Sequence, residues 1–145
     1  MAWRATIRSA TLTKLTTWAA TTSGIAVHKS RPRSVINGGL PAVYIGGQRQ
    51  DYVATAGPDS GLRRAEGTVE LVLVGKPLGD AGEEADDLDT LADSLVESLS
   101  TDPHFIAANT VAEPVSVFSG EVAEGDVIMP TVIVTVGRII IREGR

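Results

Sequence analysis

The chain has 145 residues, of which 43% are apolar and 21% charged, the size and balance of one globular domain. It has no cysteine, which excludes disulfides, thiolate-bound metals and thiol chemistry, and its two histidines are too few for most histidine-built metal sites. The net charge of −5 hides an asymmetry: residues 1–50 hold seven bases and no acid, whereas residues 51–145 hold six bases and all 18 acids. Such a split marks either complementary surfaces or unevenly solvated faces. The base-only, Ser- and Thr-rich beginning also has the composition of a mitochondrial transit peptide.

No apolar run approaches the roughly 18 residues of a membrane span, and the N-terminus lacks the apolar core of a secretory signal. Aromatic residues make up only 4%, so Val, Ile, Leu and Ala must build the core.

In chain order, residues 2–22 are expected to form a helix. Trp3, Ile7, Leu15 and Trp18 share one face, with Thr11 filling the gap. Ser23 and Gly24 stop it. Gly24 to Lys29 read as a short strand, with His28 an ordinary strand residue, before Pro32 interrupts. Lys29, Arg31 and Arg33 form a basic cluster. Phosphate contact is one reading of it. A solvated or subunit-facing loop is the other, because no aromatic residues are interleaved to stack bases.

Leu40 to Ile45 is a strand that Gly46 and Gly47 end or kink. The polar, turn-rich stretch at about 46–66 reads as a protruding arm, centred on Gly57 to Gly61, with Tyr52 and Val53 extending the strand into it. Arg49, Arg63 and Arg64 make it a contact arm.

Thr68 to Val74 is a strand with Val69, Leu71 and Leu73 on one face. Its far end is apolar on both sides and should be covered twice. A helix over about 80–100 follows, with Leu88, Leu91, Ala92, Leu95, Val96 and Leu99 on its core face. Acids in its first turn suit the positive end of the helix dipole. That does not account for the whole set from Asp80 to Asp102, which includes Asp86, Asp87 and Asp89 and no base. Val111–Phe118 and Val127–Arg142 read as two further strands joined through Glu121–Asp126, the second bent at Gly137. The fold class expected is therefore α+β: a mainly antiparallel sheet of about four to five strands, flanked by an N-terminal helix and a central acidic helix.

No motif carries chemistry. There is no Gly-x-Gly-x-x-Gly, Walker loop, nucleophile elbow or His-Glu-x-x-His, and no catalytic, cofactor-binding or metal-binding residue is assigned. Asp86, Asp87 and Asp89 lack the loop glycine and closing Glu of a calcium loop.

From Leu40 to Ile141 the chain resembles the tail terminator (tail-completion) proteins of long-tailed bacteriophages. The carriers are the Leu40–Ile45 strand, the Gly61–Val74 segment, the Asp86–Leu99 helix and the Val132–Gly137 strand. The family often opens on a leucine-rich helix, where this chain has a threonine-rich one. The resemblance implies a structural virion protein, not an enzyme. It would form a ring, usually hexameric, on the head-proximal end of the tail tube, ending tube polymerisation and joining the head-completion proteins. DNA would pass through the lumen without sequence-specific binding. The protein would assemble in the host bacterial cytoplasm and reside at the head–tail junction, with no cofactor and no membrane. A ring needs two different patches per chain. The expected pair is Lys29, Arg31, Arg33, Arg49, Arg63 and Arg64 against Asp86, Asp87 and Asp89 of the next subunit. The alternatives are a head–tail stopper or tube-like tail component, a small cytoplasmic ligand-binding or enzymatic domain, and a nucleic-acid binder through Lys29, Arg31 and Arg33.

Overall fold

The structure is a computed structural model that describes residues 3–22, 24–53 and 62–144, with side chains described for 3–22, 24–52 and 64–141. In order, the elements are α1 (Trp3–Ala20), β1 (Ala26–His28), β2 (Ala42–Val53), β3 (Leu62–Val74), α2 (Glu83–Ser100), β4 (Glu113–Glu124) and β5 (Val127–Gly144). The strands form one five-stranded sheet ordered β1-β2-β3-β5-β4. β1 runs parallel to β2 and the other pairs are antiparallel. The α+β class expected from the sequence is the one observed.

Both helices lie on the same face of the sheet. Ile7, Thr11, Leu15 and Trp18 are the buried residues of α1, the face that helical spacing selects. Leu88, Ala92, Leu95 and Leu99 are those of α2. They meet Val43 and Ile45 of β2, Val69, Leu71 and Leu73 of β3, and Val132, Val134 and Val136 of β5. Each fully buried Leu or Val contributes about 1.5–3 kcal/mol relative to exposure. α1 packs over β1 and β2, whereas α2 packs over β5, β4 and β3. The helices therefore stand side by side, α2 on the β4 side.

Among the described residues, the opposite face is covered at one end only. There Val72 and Val74 join Ala42, Tyr44 and Met129 beneath Val35, with Ile36 and Leu40 alongside. The connection between β1 and β2 supplies this cover. It is anchored where the Ile36 amide donates to Glu124 Oε2 at 3.2 Å. The far end of β3 is thus buried on both faces, as its apolar pattern demanded.

Several boundaries differ from expectation. Gly82 has φ 71°, a left-handed conformation that no helix interior accepts, so α2 starts at Glu83 and not at Asp80. β4 continues to Glu124, and Gly125-Asp126 alone makes the turn. The β2 strand does not end at Gly46 and Gly47. The two glycines face the single residue Glu70, because Ile45 pairs Leu71 and Gln48 pairs Val69. The extra residue is absorbed as a bulge and the strand runs on.

Two more irregularities fall beside the same place. Val69 pairs Val136 and Gly67 pairs Ile139, so Gly137 and Arg138 oppose Thr68. Pro114 pairs Val136 and Ser116 pairs Thr135, leaving Val115 without a partner. Three bulges therefore lie on one line across the sheet. A Cβ at Gly137 would stand 3.1 Å from Val115 Cγ2 and 3.2 Å from Thr68 Cγ2, which is why the bend sits at a glycine. Beyond this line, β2, β3 and β5 continue as the base of the expected arm. Its tip, residues 54–61 including Gly57 to Gly61, lies outside the described residues.

Candidate subunit interface

The charged residues singled out in the sequence sort into three groups. Arg49 and Arg64 are engaged within their own chain. Arg49 Nε lies 3.0 Å from Asp51 Oδ2, and Arg64 Nη2 lies 3.9 Å from Glu66 Oε1. Both pairs are exposed, so each contributes at most about 1 kcal/mol and exchanges readily for another partner. The side chain of Arg63 lies outside the described residues.

Lys29, Arg31 and Arg33 are exposed on the β1–β2 connection, which begins at the β1 edge and covers the sheet face opposite the helices. Arg31 lowers the pKa of both Tyr44 and Glu124 by its charge. In Tyr44 burial outweighs it and pushes the phenol up. In Glu124 the larger causes are hydrogen bonds from the Ser34 hydroxyl and the Ile36 amide, which hold the carboxyl below the usual carboxylate range.

Asp86, Asp87 and Asp89 are exposed on α2, and among the described residues none of them is paired with a cation. They do not form one patch. Ser94 marks the α1 side of α2, since its hydroxyl accepts the Trp18 Nε1 hydrogen at 3.2 Å. Asp87 shares that side and lines a groove with Gly24, Leu40 and Pro41. Asp89 lies about 140° around the helix from Ser94, across the apolar stripe and toward β4, at 100° per residue. Asp93 lies on the same outer flank and Asp86 at its crest.

Glu84 has a separate task. Its Oε2 accepts the Gly79 amide at 3.1 Å, closing the turn before α2, and that hydrogen bond lowers its pKa. The groove beside it has a volume of about 530 Å³, with Lys76, Glu84 and Asp87 at the rim and Leu40, Pro41, Leu88 and Leu91 on the walls. Among the described residues, no histidine or hydroxyl side chain lines it. Among the described residues no group of three or more His, Asp or Glu is gathered to hold a cation. No described helix is long and apolar enough to cross a membrane.

Sequence reasoning missed the β4 edge. β4 is the last strand of the sheet, and Val115, Val117 and Phe118 are 47%, 53% and 65% exposed. Large apolar side chains so placed on a strand with one free edge mark a contact surface. The signal was present in the run Pro114-Val-Ser-Val-Phe-Ser-Gly120, which has strand propensity and no charge. Only the strand order shows that its outer side is open.

No family model and no curated protein matches the sequence. One solved structure, 19% identical, matches across 95% of this chain and 95% of its own with a TM-score of 0.47, a likeness too slight to carry an argument about function.

Proposed function

We propose that this chain is a ring-forming structural protein, the tail terminator at the head–tail junction of a long-tailed phage. The reading rests on the sequence resemblance and on one structural observation: the outer acids of α2 and the bases beside β2 lie on opposite flanks of the sheet. The outer acids of α2 lie on the β4 side, while Arg4, Arg8 and Arg49 lie on the β2 side and Lys29 leaves the β1 edge. Among the described residues, Lys14 and Asp102 make the one ion pair between these surfaces. Two unlike patches on opposite flanks generate head-to-tail contacts, which close into a ring when the rotation permits. Charge sets the register of such contacts more than their strength. The partners proposed are further copies of the chain, the tail tube protein below and the head-completion protein above. No cofactor and no catalytic step is involved.

Native mass and electron microscopy of the purified protein test the assembly. The expected result is a closed ring, with added protein shortening the tubes formed by polymerising tube protein. A monomer at every concentration, or tubes of unchanged length, overturns the reading. Reversing Asp86, Asp87 and Asp89 to Lys should weaken the ring most at low salt.

A further inference from the structure

The outer edge of β4 carries little of the protection that free strand edges usually have. Edge strands are commonly guarded by lysines, prolines or bulges. Here Pro114 and the bulge at Val115 guard one end only, and Ser116 to Gly120 contain neither charge nor proline. Val117 lies opposite Val134 and shares the helix face, while Phe118 lies opposite Ile133 on the other. Apolar groups therefore flank the open backbone on both sides. The rim is acidic: Glu113 and Glu121 on the strand, Asp89 and Asp93 on the α2 flank above.

The other side of the sheet has a second open edge. β1 covers β2 only from Ala42 to Tyr44, so the outer side of β2 beyond Tyr44 has no strand partner among the described residues. Bases outnumber acids around it, with Asp51 paired to Arg49 on the strand. Arg49 stands on the strand, and Arg4 and Arg8 line the α1 flank above. Gln48 ties that flank to β2, accepting from Arg8 Nη1 at 3.0 Å and donating to the Arg4 carbonyl at 3.2 Å.

We propose that β4 of one copy adds to the outer edge of β2 in the next copy, so that the sheets join through main-chain hydrogen bonds and Glu113 and Glu121 meet Arg4, Arg8 and Arg49. Strand addition of this kind takes its affinity from the backbone and its selectivity from the flanking side chains. The inference rests on the ring reading and specifies which surfaces close it.

The chain has no cysteine, so single-cysteine variants are clean probes. S119C places a thiol on the β4 edge and Q50C one on the β2 edge. Within a chain these strands are separated by β3 and β5, about 14 Å, too far for a disulfide. An equal mixture treated with a short bismaleimide should give predominantly S119C–Q50C linked dimers. Self-linking of S119C alone would mean β4 pairs with β4, and overturns the proposal. The double variant V117K/F118K changes only exposed side chains. It should keep its thermal unfolding midpoint, yet its native mass should fall to that of a monomer. A ring that persists in this variant sinks strand addition and leaves the ring reading standing, whereas a wild-type protein that never assembles ends both. E121R should weaken assembly about tenfold at low salt, and R8E in the neighbouring copy, on the same helix face as Glu121, should restore it.

Discussion

Lys14 Nζ lies 3.2 Å from Asp102 Oδ2, joining the middle of α1 to the end of α2 inside one chain. The Lys14 side chain is 14% exposed and that of Asp102 50%. Its stem lies over apolar surface and only the ammonium reaches water, so packing outweighs charge at this position.

D102N is therefore expected to cost no more than about 1 kcal/mol, and K14A more, because it removes buried methylenes. K14M should recover most of the K14A loss. Urea unfolding of the three variants measures this. If D102N cost more than K14A, the pair would be held by charge and the packing account would be wrong.

Thr11 is fully buried on the core face of α1, and its Oγ1 has no hydrogen-bond partner. Replacing both the hydroxyl and its cost with a methyl of the same shape should raise stability. T11V is expected to gain about 1 kcal/mol, seen as a higher midpoint in thermal unfolding. A loss of stability would show that an internal water satisfies the hydroxyl.

Arg138 has φ 55°, left-handed backbone in the bulge beside Gly137. That conformation costs a non-glycine residue about 1–2 kcal/mol and a β-branched one more. The expected order of stability is R138G at or above wild type, with R138V lowest. G137A should also destabilise, by about 1–3 kcal/mol, because its methyl group enters the space beside Val115 and Thr68. Denaturant midpoints rank the set, and an R138V as stable as R138G would remove the strain.

Glu124 anchors the cover over the second apolar cluster. Its folded pKa is lowered, chiefly by the Ser34 hydroxyl and then by the Ile36 amide. Its contribution is therefore complete above the ordinary carboxylate pKa and is lost as pH falls through the lower folded value. Amide exchange at Ile36, measured on the native protein in acid, should become several-fold faster relative to the α2 core as pH drops through that range. E124Q should show the faster exchange already at neutral pH and no further dependence.

The helices were legible because their signal is local. The 3.6-residue period of Ile7, Thr11, Leu15 and Trp18, and of Leu88, Ala92, Leu95 and Leu99, identifies a buried stripe without reference to the rest of the chain. The β-branched run of β5 was equally plain. The strand ends were not. Gly46 and Gly47 look like a stop, and only the partner strand, with Glu70 opposite both, turns the stop into a bulge. Pairing also carried β4 to Glu124 and shortened the connection to two residues. The interface set divided in the same way. Charge and exposure of Asp86, Asp87 and Asp89 followed from composition, but their separation onto two flanks depends on where α1 packs.

The sequence alone determined the two buried helix stripes, the sheet-forming segments, the absence of cysteine chemistry and the segregation of bases from acids. These follow from side-chain identity and short periods. The tertiary structure decided the strand order, the line of bulges and the two unlike open edges. Those depend on which segments pair across the chain, and β-strand spacing repeats every two residues whatever its neighbour. Thus the charge asymmetry was readable from composition, while its placement on opposite flanks came from α1 packing over β1 and β2 and α2 over β4 and β5.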